Sequence, residues 1–110
     1  MDFRGDLDAL TLGVLANGPL HGYEVMRRIN QQGDEAIRIK EGQLYPILHR
    51  LESEGQIVAE WEPQEGKPAR KVYRLTESGH RVLAKKRAKW ARFMDSVNAL
   101  LNPGKESSHA

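Results

Sequence analysis

The segment QLYPILHRLESEG at residues 43–55 carries the side chains best suited to recognition chemistry. On a helix running from about Glu41 to Glu54, Leu44, Ile47, Leu48 and Leu51 fall at i, i+3, i+4 and i+7 and form one apolar stripe. The opposite face then carries Gly42, Pro46, His49 and Ser53, with Gln43, Tyr45 and Arg50 on its flanks. Gln43, His49, Arg50 and Ser53 supply donors and acceptors of the kind that read base edges in a major groove, which is wide enough to admit a helix. Tyr45 offers a hydroxyl to a phosphate, and Gly42 leaves room where the helix start approaches a backbone. Pro46 removes one helical hydrogen bond and restricts Tyr45.

A second constellation follows at residues 66–76, GKPARKVYRLT. Lys67, Arg70, Lys71 and Arg74 occur there with no acidic residue between them, a charge pattern that suits phosphates through counterion release. Ile57, Ala59 and Trp61 alternate with Val58, Glu60 and Glu62, predicting a strand. Pro63 to Pro68 reads as a loop and Lys71 to Leu75 as a returning strand, giving a hairpin with a basic tip. The alternative for the hairpin is a solvated surface whose cations pair with Glu60 and Glu62. That for the third helix is an amphipathic helix that binds nothing.

Two helices must hold these elements in place. The first follows Asp6, a candidate N-cap, with Leu7, Leu10, Thr11, Val14 and Leu15 on one side, and stops at Asn17-Gly18-Pro19. The second runs from about His21 to Gln32, with Val25, Met26 and Ile29 inward and Tyr23, Arg27 and Arg28 on or beside the outer face. Ile37 and Ile39 alternate with Arg38 and Lys40, which predicts a short extended piece. Three helices followed by a basic hairpin is the order of a winged helix-turn-helix, so the expected class is mainly α with a small β-hairpin.

Thr76 is a candidate cap for a last helix, about Glu77 to Leu101. Leu83, Trp90 and Val97 recur seven apart, with Phe93 and Leu100 as a companion seam and Met94 and Leu101 beside it. Lys86 stands where that companion seam would begin. Because the preceding body already contains a three-helix core, this face is expected to bury against a second copy of the chain. The expected organisation is residues 1–75 as the winged-helix domain, 76–101 as a dimerisation helix and 102–110 as a disordered tail.

Composition narrows the remaining classes. The chain has 110 residues, a formal net charge of +2 and no cysteine, which excludes disulfides and thiolate metal sites. Histidines 21, 49, 80 and 109 lack metal-ligand spacing, and no nucleophile elbow, phosphate loop or paired-carboxylate motif occurs. No enzyme, metal or cofactor is expected. No apolar run approaches the roughly 20 residues of a membrane span, and the opening MDFRGDLD is acidic where a signal peptide is basic and then apolar. A cytoplasmic location is therefore expected.

The strings LTLGVLANGPLHGYEVMRRI, QLYPILHRLESEGQI and ARKVYRLTESG, in that order, resemble the PadR-like family of bacterial transcriptional regulators. The resemblance spans roughly residues 7 to 101, and the single helix after YRLT resembles the short type. It implies a winged-helix domain that binds double-stranded DNA, a homodimer formed through the C-terminal helix, and usually repression. Tyr23 and Tyr45 match positions that support or touch the DNA backbone, Gln43, His49 and Arg50 the recognition helix, and Lys67, Arg70 and Lys71 the wing. Trp90 resembles in placement a tryptophan that, in some short members, stacks flat aromatic drugs at the dimer interface; members with other C-terminal helices respond to phenolic acids or to no known ligand, and a packed dimer anchor is the other role open to Trp90. The expectation is thus a homodimeric repressor released by a planar aromatic or phenolic effector. Two rivals stay open: a small-molecule binding protein using the dimer interface, and a winged-helix protein–protein adaptor.

Overall fold

A computed structural model describes residues 6–34 and 36–104. The elements run α1 (Leu7–Leu15), β1 (Leu20–His21), α2 (Gly22–Gln32), α3 (Glu41–Ser53), β2 (Ile57–Gln64), β3 (Lys67–Leu75) and α4 (Glu77–Leu101). Asn102–Gly104 form the bend and turn that close α4; the rest of the expected tail lies outside the described residues.

The apolar stripes read from the sequence meet in one core. Leu12 and Leu15 of α1, Val25 and Ile29 of α2, and Leu44, Leu48 and Leu51 of α3 are buried together, and Ile57, Tyr73 and Leu75 of the sheet close the cluster. Each such side chain contributes about 1.5–3 kcal/mol on burial. Ile47, on the same stripe of α3, is half-buried at its margin. Helix α3 stops in a Schellman turn, where the Gln56 N–H donates to the Leu51 carbonyl and the Gly55 N–H to that of Glu52. Gly55 takes φ +77° there, which a residue with a Cβ adopts at a cost.

The sheet has three antiparallel strands in the order β1-β3-β2. The third strand was not anticipated: β1 pairs Leu20 with Tyr73 and His21 with Val72, and two residues are too few to show alternation. The hairpin also differs from the expected long loop. Strand β2 continues to Gln64 and β3 begins at Lys67, leaving only Glu65-Gly66 as the turn, with Gly66 at φ +71°. Pro63 falls where the register shifts between Glu62 and Gln64, so its missing N–H costs little. Pro68 lies beyond the short reach of β1, where β3 has an open side.

Ile37 and Ile39 do not join a strand. The Asn30 amide instead clamps the connection: the Ile39 N–H donates to Asn30 Oδ1 at 2.7 Å, and Asn30 Nδ2 donates to the Ile39 carbonyl at 3.0 Å. One side chain thereby does what a neighbouring strand would do and seats Ile39 in the core.

Helix α4 starts as expected, with the Gly79 N–H donating to the Thr76 hydroxyl, which itself donates to the Gly55 carbonyl. Gly79 is buried where this first turn crosses the chain after α3, and a Cβ there would collide with the Gln56 carbonyl oxygen. Leu83 is buried on the body, but beyond Trp90 the apolar positions are half-buried at Phe93 and Val97 and exposed at Met94, Leu100 and Leu101. Asp6 occupies the N-cap position of α1 without capping it. Its carboxylate turns to α4, accepting from Lys86 Nζ at 3.2 Å and from the Trp90 indole N–H. Lys86 thus interrupts the apolar seam because it serves this ion pair.

Candidate nucleic-acid interface

Helix α3 turns one face to the core and the other outward. Gln43, Tyr45, Pro46, His49, Arg50 and Ser53 are all exposed, as the periodicity predicts. The side chains of His49 and Ser53 have no hydrogen bond among the described residues and stand free to meet a partner. Gly42 has open space around it, since nothing in the chain lies within 4 Å of an added Cβ. Pro46 also faces solvent, so the carbonyl it leaves unpaired on Gly42 is accessible to water.

Other side chains expected on this face have work inside the molecule. Gln43 Oε1 accepts from the Lys40 N–H at 3.0 Å and closes the start of α3, leaving its amide nitrogen to face outward contacts. The Arg50 guanidinium donates to Asp8 of α1 at 2.6 Å and lies 3.5 Å from Glu54. Asp8, through that hydrogen bond, raises the Arg50 pKa further. Arg50 therefore braces α3 onto α1. Only its tertiary setting supplies Asp8, 42 residues away in sequence.

Tyr45 links α3 to the start of α2. Its ring lies over Gly22, where an added Cβ would sit 2.8 Å from Cε1 and 3.0 Å from the hydroxyl oxygen. Gly22 is needed for that close approach, a role the HGYE string did not reveal. Tyr45 stays 42% exposed as a residue. Partial burial, helped by Glu41, pushes its pKa up, so the hydroxyl remains a neutral donor. Tyr23 is exposed on α2 and lines a polar hollow of about 400 Å³ with Arg27, Asn30 and Arg38.

The wing carries its cations in pairs. On its outer face, Arg70 donates through Nε and Nη2 to Glu62 Oε1 at 3.2 and 3.0 Å, and Arg74 donates in the same way to Glu60 Oε1 at 3.2 and 2.9 Å. The Arg70 hydrogen bond holds the Glu62 carboxyl below its ordinary pKa, with His21 Nε2 3.7 Å away adding to the effect. On the inner face, Lys71 donates to Glu52 of α3 at 3.2 Å and sits 5.4 Å from the Tyr73 ring centre. Burial opposes the Lys71 charge, but Glu52 and Tyr73 outweigh it and raise the pKa. Lys67, beside the turn, has no ion pair among the described residues.

The apolar positions expected to form a seam lie along the outer part of α4. Trp90 and Phe93 meet edge to face at 5.6 Å and, with Val97, are half-buried. Met94, Leu100 and Leu101 are 47%, 81% and 73% exposed. Trp90 also lines an apolar groove of about 180 Å³ with Leu10, Gly13 and Leu83. Among the described residues no group of histidines and carboxylates could hold a metal ion, and no helix is long and apolar enough to cross a membrane.

A helical core, an exposed polar third helix and a hairpin beside it define a winged-helix protein of the helix-turn-helix class. Residues 11–85 match the sequence profile of the Transcriptional regulator PadR-like family, and the chain belongs to that family. A transcriptional regulator of Mycobacterium tuberculosis is 38% identical over 72 residues, covering 66% of this chain and 64% of its own length. The crystal structure of a PadR family regulator from Eggerthella lenta superposes with a TM-score of 0.75 at 38% identity, covering 92% of this chain and 86% of that one. The negative transcriptional regulator PadR of Bacillus subtilis is 35% identical over 72 residues, covering 66% of this chain and 40% of its own length. Its structure in complex with operator DNA matches with a TM-score of 0.67 at 26% identity, over 94% of this chain and 51% of that one. The chain is accordingly a transcriptional regulator and not an enzyme.

Proposed function

We propose that the protein is a cytoplasmic, homodimeric transcriptional repressor that binds a pseudo-palindromic DNA operator and leaves it when a planar aromatic or phenolic effector binds. The outward face of α3 carries the DNA reading: His49 and Ser53 stand free on it, Gln43 and Tyr45 flank it, and the basic wing lies beside it. In this reading His49 and Gln43 meet base edges, while Tyr23, Tyr45, Lys67, Arg70 and Lys71 meet phosphates. Arg50 keeps α3 at the correct tilt and reaches DNA only by leaving Asp8. The relative solved with operator DNA supports the same use of the fold.

The homodimer rests on the seam of Phe93, Met94, Val97, Leu100 and Leu101, whose outer members have nothing in the described chain to bury against. Two copies would place two α3 helices in successive major grooves, about 34–36 Å apart or a multiple of that. Effector release rests on Trp90, which joins the seam to the groove against α1. A flat ligand there can act only by favouring a helix spacing that the operator does not match.

A mobility-shift assay with DNA from upstream of the protein's own gene, titrated with salt, tests the reading. A retarded complex weakened by salt and by changes in a symmetric site is expected; no complex at low salt would overturn it. For the effector, a Trp61→Phe variant leaves Trp90 as the indole to follow. Planar aromatics and phenolic acids that shift its emission and lower operator affinity are expected. A panel that changes neither removes the effector and leaves Trp90 a packing residue.

A further inference from the structure

Phosphate contact by Arg70 leaves unexplained why Arg70 and Arg74 are paired with Glu62 and Glu60 on the outer face of the wing. Glu62 stands directly across from Arg70, and Glu60 across from Val72, two residues along β3 from Arg74. Alternation puts all four charged side chains on the same face of β2 and β3. Each guanidinium turns its Nε–Nη2 edge to a single carboxylate oxygen, so both arginines point along the sheet toward acids of their own chain. The core does not require this, because Arg70, Arg74, Glu60 and Glu62 are all exposed.

Resting on the DNA-binding reading, we propose that Glu60 and Glu62 set specificity by holding Arg70 and Arg74 away from phosphate on non-operator DNA. Loosely held DNA meets a wing whose outer face is neutral overall, with carboxylates that repel its phosphates. On an operator, base contacts from α3 bring the backbone close and keep it there. A well-placed phosphate then exchanges with the carboxylate as the arginine's partner, which exposed ion pairs are weak enough to permit. The wing cations thereby add affinity chiefly after α3 has read its site. Since non-specific binding comes almost entirely from phosphate neutralisation, restraining these two cations widens the gap between right and wrong DNA.

The test compares the full-length protein with a Glu60→Gln/Glu62→Gln variant, which keeps side-chain shape and gives up both negative charges. Affinity is measured on operator and on random duplex across a salt series, and repeated with Arg70→Ala/Arg74→Ala added to both proteins. The glutamine variant should bind random duplex with a salt slope steeper by about 1.8, so that its affinity falls about tenfold further between 50 and 200 mM salt. Operator affinity should change less, so the specificity ratio shrinks. The gain should vanish when the arginines are absent. An unchanged slope on random duplex, or the same gain with and without the arginines, would overturn the inference, the second result assigning the effect to net charge alone. If the unaltered protein binds no DNA at low salt, the functional reading fails and this inference with it. If it binds operator normally and only the variant's slope fails to change, this inference alone is lost.

Discussion

Helices α3 and α4 each leave a face uncovered, and the two faces differ in kind. The outward side of α3 is polar and hydrogen-bonding, with His49, Ser53 and Gln43 around a proline. The far part of α4 carries an apolar stripe, with Leu100 and Leu101 largely exposed. A polar face is comfortable in water and gains from a partner only through matched donors, acceptors and charges. An apolar face is unfavourable in water at about 25 cal/mol for each Å² it keeps exposed. One chain therefore presents surfaces for two kinds of partner: a wet, charged one at α3 and the wing, and a dry one at α4. The account proposed above assigns DNA to the first and a second copy of the chain to the second.

The sharpest way to break that assignment is to put a charge in the dry face. Val97→Asp or Leu100→Asp should convert the dimer to monomers in sedimentation and lower operator affinity by about a hundredfold or more, the loss expected when two linked half-site contacts become independent. An intact dimer would move the interface elsewhere.

The contrast also divides α4 itself, since its first turn belongs to the body. Gly79→Ala should lower the unfolding free energy by about 3 kcal/mol, the upper end for overpacking, because a Cβ there meets the backbone at Gln56 and not a flexible side chain. Denaturant unfolding checks this. A stability loss as small as that of a surface substitution would mean that the crossing of α4 over the chain after α3 is loose.

On the wet face, His49→Ala should cost about 1–2 kcal/mol of discrimination between operator and base-substituted sites while sparing binding to random duplex. Equal losses on both would make His49 a backbone contact. Wing substitutions should behave in the opposite way. Lys67→Ala, which removes a cation without an ion pair among the described residues, should flatten the salt slope by about 0.9 with no change in base preference.

A smaller effect concerns stability against pH. Arg70 holds the folded Glu62 pKa below its unfolded value. The stabilisation it provides is present above the unfolded carboxylate pKa and is lost as pH falls through the folded one. Glu62 is exposed and screened by water, so Glu62→Gln should only slightly lower the melting temperature at neutral pH and not at all in strong acid. A difference that grows toward acid would contradict the pairing.

Much of the fold was legible because its determinants are local. The Leu44–Leu48–Leu51 stripe, the Gly55 turn and the Thr76 cap each depend on residues within about one helical turn of one another. The strand ends were misread because Pro63 and Pro68 suggest loops, while the open sides of the hairpin tolerate them. β1 was missed because it consists of two residues held only by β3. The outward face of α3 could be listed from periodicity, yet which of its members are engaged could not. Arg50 with Asp8, Lys71 with Glu52, and Asp6 with Lys86 and Trp90 join distant parts of the chain, and a single sequence carries no local sign of such pairs. Asn30 hid in the same way, its amide serving a connection that alternation alone had marked only as a short extended piece.

The central claim is that a dimer joined through α4 reads DNA through two copies of α3. Footprinting on the DNA upstream of the protein's own gene, with the stoichiometry of the complex measured by sedimentation, tests it most directly. The account predicts two protomers per site and two protected patches related by symmetry, centred one helical turn or a multiple of it apart. Protection of a single asymmetric patch by one protomer, or no protection at a salt concentration where the protein is folded, would contradict it.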